Sequence, residues 1–377
     1  MKIVYCIGNL ASPGGAERVL VNKANYLAAL GDYHVTILIA NQDKKNYAYK
    51  IDDGINVMDM MINESQHFIY SIPLIGFFYK IGILKKKYQK VINQINPDIV
   101  INVERGFEDF ILPSLEPKRI SIRESHSSLQ AVNLMSSSGS SSLKKNFFTK
   151  LYNRQLTRFD KVVLLTEEDR IYRNYKNGDT VIPNLISAFD SDPNYDVNSK
   201  KVISVGRLDV FKNFKDQIEV WKEVVKKFPS WTLHIYGEGP EKPALEKLIH
   251  NYHLKNNVFL EGRTNEVEKV LKSGSFFLFT SRAEGFGMVL VEAMQMGLPV
   301  VSYDCPCGPK DIISDGNDGF LVPLNDKRIL ESKITSLITD DHLRTKMSEQ
   351  AIKKSKMFSE KIIMPQWIEL FNQLKNA

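Results

Sequence analysis

Val202-Ile203-Ser204-Val205 runs into Gly206-Arg207-Leu208; an amphipathic stretch of helix length, Phe214–Lys227, follows, and then a second β-branched run, Thr232-Leu233-His234-Ile235-Tyr236. A short apolar strand, a polar turn, a helix and another strand make the βαβ unit, which places its two strands parallel in one sheet. The same order continues with strands expected at Val258–Leu260, Phe276–Phe279 and Pro299–Ser302, and with helices near Glu241–His253, Asn265–Lys272 and Met288–Met296. The first half repeats it more loosely, with strands at Lys2–Ile7, Val35–Ala40, Ile99–Val103, Arg119–Ile122 and Lys161–Leu165. A helix over about Gly15 to Leu30 carries Ala16, Leu20, Ala24, Leu27 and Ala28 on one face and stops at Gly31. The fold class is therefore α/β, as two doubly wound domains.

A length of 377 residues suits two domains, and 43% hydrophobic with 25% charged residues excludes collagenous, coiled-coil and wholly disordered classes. The boundary is expected in the polar stretch Ser187–Ser199. This gives an N-terminal domain over 1–187, a linker over 188–199, a C-terminal domain over 200–360 and a last helix in 361–377 that packs on either domain. Open α/β sheets bind ligands beyond the carboxyl ends of their strands, so two of them facing each other are expected to leave a cleft. Fifty Lys+Arg against 44 Asp+Glu leaves +6, too small a surplus over this length to argue for nucleic acid, and no aromatic RNA motif or recognition-helix pattern accompanies it. Three cysteines, Cys6, Cys305 and Cys307, point to a reducing, cytoplasmic setting and lack the ligand count of a zinc site. Asp190-Ser191-Asp192 has an Asp-x-Asp pattern but falls in the linker, so no metal or other cofactor is expected. The N-terminal apolar run is too short for an export signal.

Three groups of residues carry chemistry. Gly14-Gly15, between the first strand and its helix, lets backbone N–H groups approach an anion, or merely makes a tight βα turn. Gly206-Arg207-Leu208, with Lys212 five residues beyond Arg207, offers a planar fork and a mobile point charge suited to a pyrophosphate; the alternative is a solvated loop. Glu284-Gly285-Phe286-Gly287-Met288 enters a helix that carries Glu292, so both carboxylates can reach sugar hydroxyls while the N–H groups of Gly287, Met288 and Val289 take a phosphate oxygen. Dipole compensation and an exposed helix face are the plainer readings of the two glutamates.

Taken together these residues resemble the retaining GT-B glycosyltransferases of family four (glycosyl transferases group 1), bacterial polysaccharide and glycolipid type. The resemblance rests on Ser12-Pro13-Gly14-Gly15-Ala16-Glu17, Val205–Leu208 with Lys212, Ile235-Tyr236-Gly237-Glu238-Gly239-Pro240, Phe259–Arg263, the Glu-x7-Glu run from Glu284 to Glu292, Gly297–Val300 and Asp315–Val322. It covers nearly the whole chain. One departure is Asn213, where many members place glycine after the lysine.

The resemblance implies that Arg207 and Lys212 hold the donor diphosphate in place of a metal, that Glu292 holds the ribose, and that Glu284 binds the donor sugar. Backbone groups of Gly206 and of Phe286 to Val289 complete the donor site, with Gly15 approaching the diphosphate and Arg263 beside the base. His126, in Arg123-Glu124-Ser125-His126-Ser127, matches the family's active-site histidine beside the donor sugar. A nucleotide-sugar, UDP-linked by family habit, is thus the expected donor, used with retention by a front-face route.

Two segments of the first half mix basic and apolar residues. Phe68–Lys80 leads to Lys85-Lys86-Lys87, and Lys144-Lys145-Asn146-Phe147-Phe148 leads to Lys150, Arg154 and Arg158. Such faces suit an anionic membrane surface, or are core-packing helices with solvated edges. The apolar window Phe68–Leu84, broken by Pro73, Gly76, Lys80 and Gly82, is not read as a spanning helix. The resemblance tips this toward a peripheral enzyme of the inner membrane face with a lipid-linked or membrane-proximal glycan acceptor. Competing readings are a nucleotide-sugar epimerase or phosphorylase-like enzyme of the same fold, and a non-catalytic two-domain sugar-binding protein. Ser136–Ser142, almost all serine, reads as a flexible loop.

Overall fold

A computed structural model describes residues 1–62, 73–103, 105–131, 151–173, 179–193 and 195–377, with side chains from 76 onward in the second stretch. Ser136–Ser142, Lys144, Lys145, Phe147, Phe148 and the beginning of the window at Phe68 lie outside the described residues. The chain divides into two compact units. The first holds Met1–His126, 151–185 and Ile363–Ala377; the second holds 127–131 and Ile186–Ile362.

The first unit is built on strands β1 (Lys2–Ile7), β2 (His34–Ile39), β3 (Asn56–Asp59), β4 (Ile99–Asn102), β5 (Ile120–Glu124), β6 (Lys161–Leu164) and β7 (Asp179–Val181). They form one parallel sheet in the order β3-β2-β1-β4-β5-β6-β7. Alternation along β1 sends Ile3, Tyr5 and Ile7 to one core with Leu20, Leu27, Trp367 and Phe371, and Val4 and Cys6 to the other with Leu84, Tyr88 and Ile92. Both faces of the sheet are thus covered. The second unit holds β8 (Lys201–Val205), β9 (Thr232–Tyr236), β10 (Val258–Gly262), β11 (Phe276–Phe279), β12 (Val300–Asp304) and β13 (Gly319–Pro323), parallel in the order β10-β9-β8-β11-β12-β13. Trp221, Leu233, Phe276 and Leu330 are among its buried core residues.

Several expectations are refined. Asn56–Asp59 and Asp179–Val181 are short strands at the two sheet edges with no fully buried residue, so no apolar run announces them. From Pro73 onward the broken window belongs to a helix, Pro73–Ile95. Pro73 stands where a helix needs no N–H, and each inner glycine costs about 1 kcal/mol, offset where Leu84, Tyr88 and Ile92 are buried. The last helix is Glu360–Asn376, and from Ile363 it is part of the first unit, with Met364, Trp367 and Phe371 in that core. Ser127–Ala131 groups with the second unit although it precedes the linker in sequence. Among the described residues no helix is long and apolar enough to cross a membrane.

In the second unit the turn after β9 lies directly on the turn after β8. A Cβ on Gly237 (φ +154°) would stand 1.8 Å from the Gly206 carbonyl oxygen, and one on Gly239 2.3 Å from that of Leu208. The N–H groups of Gly206, Leu208 and Glu241 donate to the carbonyls of Tyr236, Glu238 and Leu208. Backbone meets backbone here, so the side chain of even an alanine has nothing flexible to displace. Gly239→Ala should therefore destabilise the protein by about 1–3 kcal/mol, visible as a lowered thermal midpoint, whereas alanine at Gly31, where a Cβ meets nothing, is penalised only for its φ of +78°.

Candidate functional site

Each sheet reverses its winding once: between β1 and β4 in the first unit, and between β8 and β11 in the second. At such a point the loops leaving the two neighbouring strands diverge and open a crevice beyond their carboxyl ends. In the second unit the loop after β8 holds Gly206, Arg207 and Lys212, and the loop after β11 holds Glu284, Phe286 and Gly287. The topology brings these predicted residues together.

The geometry is set by buried and part-buried polar contacts. The Asp209 carboxylate accepts from the backbone N–H groups of Phe211 (3.0 Å) and Lys212 (3.1 Å), folding the loop back on itself. Thr280, just beyond β11, donates to the Lys212 and Asn213 carbonyls, and Gln217 donates in turn to Thr280 (2.9 Å) and Ser204 (3.0 Å). Lys212 is thereby held so that its Nζ meets Glu284 Oε1 at 2.5 Å and lies 5.4 Å from the centre of the Phe279 ring. Glu284 is anchored by its own N–H, which donates to the Pro306 carbonyl. Gly308 (φ +128°) packs so closely on Phe286 that a Cβ would stand 2.1 Å from its carbonyl oxygen.

Gly287 precedes the helix Met288–Gln295 with φ +92°, a conformation that favours glycine, and Glu292 is buried one turn into that helix. Arg207 behaves differently: its side chain is 74% exposed, with Nε 3.9 Å from Asp209. Arg263 is exposed directly after β10. Asn213 heads the helix Phe214–Lys227 at φ +52°, so it takes the left-handed turn that glycine takes elsewhere, as asparagine tolerates better than most residues.

Gly15 and His126 belong to the first unit. Gly15 opens the helix Gly15–Ala29. His126 lies two residues beyond β5, nearly buried, with Nε2 3.1 Å from Oε1 of Glu124. Sequence reading missed what stands behind it. Both Glu124 oxygens accept from the ammonium of Lys23, and this pair is only 1% exposed on each side. Lys23 also lies 3.9 Å from the centre of the Trp367 ring. Burial alone would push the Glu124 carboxyl up; the Lys23 ammonium against it holds it down to about 2. The first unit also has a cavity of about 350 Å³ at its reversal point, where Gly8, Asn9, Asn41, Lys80, Asn102 and Arg105 are among the lining residues. Asp190 and Ser191 donate their N–H groups to Glu268, a loop contact within the second unit.

Two Rossmann-like units, each an all-parallel doubly wound sheet, give this chain the GT-B fold. Sucrose-phosphate synthase from Thermosynechococcus elongatus superposes with a TM-score of 0.80 over 99% of this chain and 98% of its own, at 18% identity. Residues 187–354, which lie within the second unit, match the model of the family Glycosyl transferases group 1. An uncharacterized glycosyltransferase of Haemophilus influenzae is 28% identical over 97% of this chain and 98% of its own length. The amylovoran biosynthesis glycosyltransferase AmsD of Erwinia amylovora is 30% identical over 56% of this chain, which spans 62% of that relative.

The Asn213 turn is open to a direct test. Asn213→Gly should keep the stability of the natural chain, while Asn213→Ala should lose about 1 kcal/mol, read as a shift of the urea midpoint.

Proposed function

We propose that this chain is a retaining glycosyltransferase. It moves a sugar from a nucleotide-sugar, UDP-linked in the first instance, to a lipid-linked or membrane-proximal glycan in the synthesis of a surface polysaccharide or glycolipid. The observation that carries this reading is the Lys212–Glu284 pair at the reversal point of the second sheet, beside a glycine-headed helix that bears Glu292.

A diphosphate arriving there competes for Lys212. The ammonium exchanges one charged oxygen for another and frees Glu284 to accept from sugar hydroxyls. Arg207, solvent-exposed in the free chain, folds onto the same phosphates; together the two cations stabilise the leaving diphosphate without a metal. Glu292 holds the ribose, Arg263 attends the base, and the N–H groups of Gly287 to Val289 face the phosphates and sugar. Gly15 supplies a further N–H toward the diphosphate, and His126 attends the donor sugar. The bond from the anomeric carbon to the phosphate oxygen breaks, and the acceptor oxygen forms its bond on the same face. Its proton passes to the departing phosphate oxygen, so no protein base is required.

The cavity of the first unit suits an acceptor, with asparagine amides for hydroxyls and the cations Lys80 and Arg105 at its wall. On the helix Pro73–Ile95, Phe78, Gly82, Lys86 and Lys90 form one exposed stripe at four-residue spacing, beside Tyr79 and Lys87. Exposed aromatics one end and lysines the other fit a peripheral place on the anionic inner face of the cytoplasmic membrane.

A panel of nucleotide-sugars followed by thermal shift should identify a stabilising donor. Arg207→Ala and Lys212→Ala should then each lower turnover by about 100-fold or more; unchanged turnover in both would refute the site. Separately, the chain should co-sediment with vesicles containing anionic lipid, and less so after Lys85, Lys86 and Lys87 are changed to Glu. No binding by either protein would remove the membrane from the proposal.

A further inference from the structure

We propose that Glu124, pinned by Lys23, is a positioning residue that keeps the proton of neutral His126 on Nε2 and so presents Nδ1 to the ligand as a hydrogen-bond acceptor. The structural part stands on the first unit alone; its catalytic consequence rests on the reading that His126 attends the donor sugar.

The helix Gly15–Ala29 supplies the lysine. Its inner face carries Val19, Lys23 and Leu27 at four-residue spacing, all buried, so a lysine occupies a position where an apolar residue would complete the stripe. Lys23 has no exposed surface. Its ammonium gives hydrogens to both oxygens of Glu124, the last residue of β5, and is flanked by the rings of Trp367 and Tyr5. Trp367 comes from the C-terminal helix, so the return of that helix to the first unit is what closes the cluster.

A carboxylate held in this way stays ionised and can only accept. Oε1 stands 3.1 Å from His126 Nε2, oblique to the line of a hydrogen bond in the free chain. An Nε2 lone pair there would face a negative oxygen; an Nε2–H is attracted to it. In neutral imidazole the proton on Nε2 leaves Nδ1 with its lone pair.

Among the described residues, the charged and phenolic groups near Glu124 are engaged elsewhere or stay neutral. Arg123 turns to Asp109 at 2.6 Å, Arg173 to Asp169 at 2.6 Å, and the Tyr5 phenol is pushed well up by burial, so it stays neutral. A neutral histidine with its proton on Nε2 accepts from a hydroxyl, the group a sugar offers, and has no spare proton at Nδ1 with which to act as an acid.

The test is a long-range proton–nitrogen spectrum of the uniformly labelled full chain at mildly alkaline pH. The signals of His126, one of seven histidines, are assigned by their loss in His126→Asn. The natural chain should show the Nε2–H pattern, and an Nδ1–H pattern there overturns the proposal without any further variant. The double variant Lys23→Met with Glu124→Gln removes both charges at nearly constant shape, which buried pairs tolerate far better than loss of one partner. It should shift His126 toward a mixture of tautomers and lower kcat by up to about 100-fold, with UDP affinity unchanged. An unaltered tautomer pattern together with unaltered kcat in that variant also overturns it. A natural chain that shows the Nε2–H pattern but turns over no donor would instead fault the glycosyltransferase reading.

Discussion

At the carboxyl edge of the second sheet, backbone has to lie on backbone. The turn Gly206-Arg207-Leu208 and the turn Gly237-Glu238-Gly239 approach to distances that no Cβ survives, and Gly308 does the same against Phe286. Everything chemical in this unit hangs on those contacts. They let the loops after β8, β9 and β12 converge on the place where the winding reverses. Lys212, Glu284 and the helix bearing Glu292 are thereby set by main-chain geometry rather than by long side chains searching for one another. Asp209, which accepts from the Lys212 N–H, and the donors Thr280 and Gln217 then fix the stretch that presents Lys212.

This constraint explains which parts of the molecule were legible in the sequence. Buried parallel strands such as Val202–Val205, apolar but for Ser204, and Phe276–Phe279, apolar throughout, read clearly because both of their faces are covered. The edge strands Asn56–Asp59 and Asp179–Val181 did not, since an edge strand with partial cover needs no such run. Glycines of the second unit stood out as motifs, but sequence alone could assign Gly237 and Gly239 no cause; the cause is contact with residues some thirty positions earlier. Asn213 was visible as a departure, and its φ of +52° shows why the departure is tolerated.

The first unit was harder to read because its chemistry is hidden. A lysine in an amphipathic helix is ordinarily counted to the wet face, and Lys23 lies among Val19 and Leu27 with nothing local to say that it is buried. Its partner is a hundred residues away on β5, and the ring above it comes from the far end of the chain. Only the spacing of Lys23 with Val19 and Leu27 carried a signal, and it was a weak one. Glu124 lies beyond Ile122, where the apolar run of the strand ends; the two further residues of β5 are what bring the carboxylate into the core.

The two units therefore handle charge in opposite ways. In the second, Lys212 and Glu284 are each partly exposed, 25% and 12%, and a pair that touches water can part when a stronger anion arrives. In the first, Lys23 and Glu124 are sealed at 1% each, and parting them would strand two charges in an apolar core. The first arrangement suits a site that must exchange partners during a reaction. The second suits a fixed dipole, whose worth lies in not moving while the group beside it meets a ligand. A fold with a reversal point in each sheet supplies both, and it is the depth of the charged residue below the strand ends, not its identity, that decides which it becomes.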